Sequence, residues 1–274
     1  MLLTRRAALK GVAATSIGAL TGAVAYGMGN ERHRVGLTHA TLPVSGLPPA
    51  LDGLRIAFIT DVHHSLTVPA DDVTRAVTLA NSTDPDLVVL GGDYVTWRDR
   101  RYVAPVAELL RPLHARGGVF AVLGNHDDDR EMPAALIRNG FTVLKDQRTR
   151  VELRGEALEV AGIRFWTRKP DEIARVLRDS RDTTLLLAHD PRRVTEAAAL
   201  DVSAVLSGHT HGGQVVLPGI GAVARRDFPV LAGVARRQNT SLFVSRGIGT
   251  VYLPVRINCP PEVALVTLHR LSDL

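Results

Sequence analysis

Hydrophobic residues along this chain fall into short unbroken runs, each ended at once by polar residues. Ile56-Ala57-Phe58-Ile59 leads into Asp61-Val62-His63, and Leu87-Val88-Val89-Leu90 into Gly91-Gly92-Asp93. Val119-Phe120-Ala121-Val122-Leu123 leads into Gly124-Asn125-His126-Asp127. Thr184-Leu185-Leu186-Leu187-Ala188 leads into His189-Asp190, and Ser203-Ala204-Val205-Leu206 into Gly208-His209-Thr210-His211. Runs of four or five β-formers without alternation predict strands buried on both faces. Between them the pattern predicts helices over 70–81, 101–115, 132–139, 171–178 and 191–200. Strands and helices alternating in this way predict an α/β domain of parallel or mixed sheets covered by helices. One more strand is expected at 35–40, within a lead-in over 26–53, and the domain proper is placed at 54–274. Beyond Gly212 the chain turns strand-like through 242–244 and 263–266, which suggests a second sheet packed on the first.

The start of the chain follows a different pattern. Arg5, Arg6 and Lys10 precede a mildly apolar run to Ala25, and Ala23-Val24-Ala25 offers small residues of the kind a signal peptidase accepts. Residues 1–25 are therefore set apart as an export signal, either cleaved or kept as a membrane anchor. Thr4-Arg5-Arg6-Ala7-Ala8-Leu9-Lys10 resembles a twin-arginine (Tat) signal, departing at Ala8 where that motif most often carries Phe. The expected partner is the Tat machinery, and the expected location is the cell envelope or the extracellular side.

Composition narrows the picture further. Among 274 residues, 45% are hydrophobic and 22% charged, which excludes disordered and fibrous classes. A single cysteine, Cys259, excludes an intramolecular disulfide framework. The net charge is +5, but removing Arg5, Arg6 and Lys10 leaves +2. Basic residues are interleaved with acids, so sequence-specific nucleic-acid binding is not expected.

Functional groups of open α/β sheets gather where strands end at their carboxyl edge. There this chain places Asp61, His63, Asp93, Asn125, His189, His209 and His211. Singly these are ordinary turn or core residues; together they form an all-nitrogen-and-oxygen ligand set. Such a set suits two divalent ions of the Mn, Fe, Zn or Co type rather than a structural zinc. A carboxylate such as Asp93 can bridge two cations, which can share a water, lower its pKa and direct the hydroxide in line at phosphorus.

Asp-x-His, Gly-Gly-Asp, Gly-Asn-His-Asp, a later His and Gly-His-x-His, in this order, resemble the calcineurin-like metallophosphoesterase superfamily. The segments 208–214, 245–249, 254–258 and 260–262 look like a bacterial, Tat-exported branch that includes relatives acting as UDP-diacylglucosamine pyrophosphatases. The resemblance implies a four-layer α/β/β/α sandwich of two mixed sheets. It implies that Asp61, His63, Asp93 and His211 hold one metal, and Asp93, Asn125, His189 and His209 the other. It also implies that His126 binds substrate phosphate and assists the leaving group, steadied by Asp127.

The substrate itself is less defined. Trp97 and Arg98 follow Asp93 closely and are candidates for the pocket rim, where an arginine could pair with phosphate and the indole could stack. His64 and Arg246 are further candidates, with Arg256 behind them. The expected activity is hydrolysis of a phosphodiester or pyrophosphate link on a small-molecule or lipid-linked substrate. Alternatives are a phosphomonoesterase of the same fold and a non-catalytic envelope binding protein. A two-metal amidohydrolase also uses His-x-His, but there the pair follows the first strand of a barrel.

Overall fold

The computed structural model describes residues 4–178, 180, 183–223 and 227–271. Met1–Leu3 of the expected signal and residues 272–274 of the expected domain lie outside the described residues.

Each unalternated run forms a strand whose two faces enter different cores. In β2 (Leu54–Ile59), Ile56 and Phe58 face one apolar cluster while Ala57 and Ile59 face another. In β3 (Leu87–Leu90), Leu87 and Val89 divide from Val88 and Leu90 in the same way. One six-stranded sheet contains them. Its order is β1 (Gly36–Val44), β14 (Glu262–Arg270), β2, β3, β4 (Val119–Ala121) and β5 (Thr142–Val143). The second sheet runs β12 (Gly233–Arg237), β13 (Thr240–Val244), β9 (Ala204–Ser207), β8 (Thr183–Ala188), β7 (Glu156–Ile163) and β6 (Gln147–Leu153). Both are mixed: β2 to β5 are parallel with β14 antiparallel beside β2, and β7, β8, β9 and β13 are parallel between antiparallel edges. A small hairpin pairs β10 (Val216–Leu217) with β11 (Gly221–Ala222).

The inner faces pack against each other, Ile56, Phe58 and Val89 with Leu185, Leu187 and Phe243, and the Phe58 and Phe243 rings meet edge-on at 6.2 Å. The outer face of the first sheet is covered by α2 (Ala70–Ser82), α3 (Val103–Leu110) and α4 (Glu131–Arg138). The stripe Val73, Ala76, Val77 and Ala80 is the buried side of α2, an i, i+3, i+4, i+7 pattern that one helix face requires. On the second sheet lie α5 (Pro170–Leu177) and α6 (Val194–Ala199). The architecture is thus the four-layer α/β/β/α sandwich.

Three features differ from the sequence reading. The five ligand-bearing strands do not share one sheet: β2, β3 and β4 lie in the first and β8 and β9 in the second. The second sheet therefore begins with the β6–β7 hairpin rather than after Gly212, and β14 returns to the first sheet. The 26–53 stretch is built into the domain, because β1 pairs with β14 from Gly36↔Glu262 to Val44↔Arg270. The predicted helix over 101–115 ends at Leu110, where Pro112 leaves Arg111 poorly suited to continue it. The chain start forms one helix, α1 (Arg5–Gly29), exposed except at Gly27 among its described residues.

Candidate metal centre

Loops following five strands meet at one end of the sandwich. Asp61 and His63 follow β2, Asp93 follows β3 and Asn125 follows β4, while His189 follows β8 and His209 and His211 follow β9. Asp61, His63 and His211 form one group of potential ligands, and Asp93, His189 and His209 a second. Within each group the ligand atoms lie within 4.8 Å of one another. Each group draws on both sheets.

Aiming these side chains inward strains the backbone. Asp61, His63, Asp93, His209 and His211 have φ between 49° and 71°, the left-handed region that residues with a Cβ avoid at a cost of about 1–2 kcal/mol each. Two glycines make the space. A Cβ at Gly124 would overlap Asp93 Oδ1, and one at Gly208 would overlap Asp61 Oδ2.

Hydrogen bonds then fix each group. Thr60 Oγ1 donates to Asp61 Oδ2 (2.8 Å), and the His209 N–H reaches both Asp61 oxygens (3.0 Å). The His126 N–H donates to Asp93 Oδ1 (2.8 Å). That leaves Asp93 Oδ2 facing a histidine of each group, 3.0 Å from His189 Nε2 and 3.6 Å from His63 Nε2. This is the position a bridging carboxylate needs. His189 Nδ1–H donates to the Gly91 carbonyl (2.8 Å), which aims Nε2 at Asp93 Oδ2 and leaves Nε2 as the nitrogen that can ligate once it gives up its proton.

The donor set fits cations. His63 Nε2, His189 Nε2, His211 Nδ1 and Asn125 Oδ1 are buried and have no hydrogen-bond partner of good geometry. A buried polar atom left unpaired costs about 1–3 kcal/mol, and four of them converging beside two carboxylates are what bound divalent ions would satisfy. Ligand atoms on one ion with bonds of about 2.0–2.2 Å lie roughly 3–3.6 Å apart, which spans the 3.0 Å between His189 Nε2 and Asp93 Oδ2.

Titration points the same way. Burial lowers His63 to about 3 and His209 to about 4, and drives His211 well below its usual value, so all three are neutral imidazoles at pH 7. Burial pushes Asp61 up to about 6. Burial would also lower His189, but Asp93 and Asp61 overcome it and raise His189 to about 10. The same pairing holds Asp93 below the usual carboxylate range against its own burial. Two buried carboxylates demand positive charge here, and His189 supplies it.

Around this centre the other predicted residues divide. The His126 ring stands edge-on to His63 at 4.9 Å, and its Nδ1 accepts the Trp97 N–H (3.1 Å), leaving Nε2 as the protonated nitrogen. Asp127 does not steady that ring. Its carboxylate instead accepts the N–H groups of Asp93, Tyr94 and Gly124, each at 2.8 Å, and so holds the backbone that carries Asp93 and Asn125. Trp97 is at the rim, its indole 4.5 Å from the His126 ring and 5.4 Å from Tyr252, and Arg98 is exposed beside it. His64 does not line the site. It is buried, with Nδ1 on the Val68 carbonyl (2.9 Å) and its ring edge-on to Tyr102. Arg246 is occupied by Glu262 (Nε–Oε2 2.9 Å), which cancels its charge. Arg256 is wholly buried and donates to the carbonyls of Arg246, Gly249 and Cys259.

Sequence reasoning missed the cavity's apolar wall. A cavity of about 270 Å³ joins Asp93, Asn125, His126, His209 and His211 to Val215, Val223, Phe228, Tyr252, Leu253 and Val255. These lie in irregular segments where nothing in the pattern distinguishes a pocket wall from a packed loop. Gln214 orders the far side, donating from Nε2 to the Leu253 and Val255 carbonyls and accepting the Val251 N–H.

Residues 54–213 match the calcineurin-like phosphoesterase family. The metallophosphoesterase YkuE of Bacillus subtilis is 32% identical, over 97% of this chain and 98% of its own. The phosphodiesterase YaeI of Escherichia coli is 31% identical, over 78% of this chain and 82% of its own. A transmembrane protein with a metallophosphoesterase domain from Danio rerio is 31% identical, over 89% of this chain and 60% of its own.

Proposed function

The chain belongs to the calcineurin-like phosphoesterase family, and on that premise we propose that it hydrolyses phosphodiester or pyrophosphate links of an envelope or lipid-linked substrate. The observation that carries the diester preference is the apolar wall beside the ligand groups. A monoester presents one organic arm and a bare phosphate, whereas a diester or pyrophosphate needs room for a second arm next to the phosphorus. Val223, Tyr252 and Leu253 offer that room. The name of the Escherichia coli relative, a phosphodiesterase, supports the same preference.

Asp61, His63, Asp93 and His211 would hold one divalent ion, and Asp93, Asn125, His189 and His209 a second. When bound, the pair supplies positive charge for the phosphate oxygens and an activated water. The chain's own residues do the rest. Burial lowers His126 below its usual value, so it is neutral at pH 7 and carries its proton on Nε2. From there it donates a hydrogen bond to a phosphoryl oxygen or to the departing oxygen, stabilising the negative charge that develops there. Asp127 keeps Asp93 and the 124–126 turn in register. Trp97 packs at a tilt against the His126 ring, their centroids 4.5 Å apart. The basic start and apolar run of α1 support export by the twin-arginine route.

Purified full-length protein loaded with Mn should hydrolyse an aryl phosphodiester faster than the matching monoester, and Asp93→Ala should abolish both. Diester hydrolysis that survives thorough chelation would overturn this reading.

A further inference from the structure

A group of exposed apolar side chains lies on segments that line the cavity or pack beside those that do, while Ile137, Trp166 and Val234 are exposed elsewhere. Leu66 is 90% exposed, and Trp97, Ile220, Tyr252 and Leu253 are 63–70% exposed. They sit on segments 65–68, 94–98, 214–223 and 250–258, which contain no Asp or Glu. Their two charged residues are Arg98 and the buried Arg256. Elsewhere the surface carries Arg–Asp and Arg–Glu pairs, such as Arg164–Asp146 and Arg148–Glu159. An acid-free apolar rim is a surface that does not expect water.

One of these segments is seated on the C-terminal end of α1, and two more are tied in beside it. The Arg256 N–H donates to the Gly27 carbonyl (3.2 Å), and a Cβ at Gly27 would lie 2.9 Å from both Val255 and Ile257. The Val216 N–H donates to Ile257 (2.9 Å), which ties the β10–β11 hairpin to the same place. Arg32, just past α1, donates to the Thr67 carbonyl beside Leu66. The fourth joins through the Trp97–Tyr252 ring contact.

α1 itself is long and apolar enough to cross a membrane by length and composition. Between Lys10 and Glu31 the chain has no charged residue, and the part of that run ahead of the docked Gly27, residues 11–26, spans about 24 Å as a helix, most of a bilayer's hydrocarbon core. Arg5, Arg6 and Lys10 lie on one side and the domain on the other, the arrangement the positive-inside rule favours for a domain outside the cytoplasm. Only a few residues separate Gly29 from β1, so a membrane-spanning α1 holds the domain against the bilayer.

We propose that α1 remains on the mature chain as an anchor and that the rim of Leu66, Trp97, Ile220, Tyr252 and Leu253 dips into the lipid headgroup layer. The site then opens at the membrane surface. Aromatic residues favour that zone because their rings are apolar at one end and polar at the other. That the substrate is a phosphate ester drawn from the bilayer plane rests on the phosphoesterase reading above; the position of the surface does not.

The test uses the full chain in phosphatidylcholine–phosphatidylglycerol vesicles. The chain has two tryptophans, so Trp166→Phe leaves Trp97 as the one indole. Trp97 emission should fall at least about twofold when the acyl chains are brominated, and the membrane-extracted chain should have the mass of the whole sequence. Leu66→Asp should relieve the quenching while leaving hydrolysis of a soluble aryl diester within about twofold, since Leu66 lies outside the cavity. Equal Trp97 emission in brominated and plain vesicles overturns the interfacial surface. A membrane-extracted mass lacking α1 overturns the anchor. A quenched but inactive protein would refute the phosphoesterase reading and leave the surface standing.

Discussion

Replacing Asp127 by asparagine separates a positioning role from a direct action on His126. In the native chain Asp127 Oδ2 accepts two N–H groups, from Asp93 and Gly124, and Oδ1 accepts that of Tyr94. Asparagine has one acceptor oxygen. If it serves the Asp93 and Gly124 donors, its NH2 group opposes the Tyr94 N–H. One charge-assisted bond is lost, worth about 1.5–3 kcal/mol, and two weaken to neutral ones. Part of this is offset, because burial pushes the Asp127 carboxyl up to about 7 and the amide escapes that penalty. The net cost is about 2–4 kcal/mol, or a fall of about 5–15 °C in Tm by circular dichroism. Alanine would orphan all three donors and cost a large share of the about 5–15 kcal/mol that holds a domain together, so asparagine is the informative variant. With the backbone of Asp93 loosened, kcat/KM should drop about 10- to 100-fold. The pH profile should keep its shape, because the His126 ring bonds the Trp97 N–H and not Asp127. A Tm within 2 °C of wild type (below the about 5 °C lower bound), or a displaced limb in the pH profile, would refute the reasoning.

Other consequences follow from the same geometry. Gly208→Ala places a methyl group on Asp61 Oδ2 and Thr60 Oγ1, so elemental analysis should find about one ion per chain instead of about two. His189 is raised to about 10 and holds a proton in the ion-free chain at pH 7. That proton must leave for Nε2 to ligate, so metal affinity by calorimetry should rise about tenfold per pH unit between pH 7 and 9, and a flat profile would show that His189 is already neutral in the ion-free chain. Arg246→Ala leaves the buried Glu262 without its cation and should cost about 2–3 kcal/mol in denaturant unfolding. KM should stay within about twofold, and a larger rise would return Arg246 to the substrate site.

The strand-then-ligand pattern reads directly because a strand buried on both faces cannot disguise itself as anything polar. Leu87–Leu90 is a strand over the whole of its predicted run, and all seven ligand candidates lie at one end of the sandwich. The division of the strands between two sheets was not legible. It is set by the β6–β7 hairpin, whose first strand, Gln147–Leu153, is polar throughout Gln147–Arg150 and lies at a sheet edge, so it carries too short an apolar pattern to stand out from a loop. Arg246, Arg256 and His64 misled for a related reason. Sequence shows that an arginine or histidine is near a site, but not whether a glutamate or a row of carbonyls has already claimed it. The apolar wall was hidden because Tyr252 and Leu253 differ from core residues only in having nothing packed over them.

The recruitment of each ligand group from both sheets has a mechanical consequence. Asp61 and His211, in one ligand group, are 150 positions apart, yet they meet where the two sheets end. A cation held there is a cross-link that closes a very long loop, and closing long loops removes the most entropy from an unfolded chain. Disulfides supply such cross-links in other proteins, but this chain has a single, buried cysteine. Its ions would take over that duty. Chelation should therefore loosen the sandwich at its open end and lower the unfolding temperature along with abolishing turnover, as ligand linkage to the folded state requires.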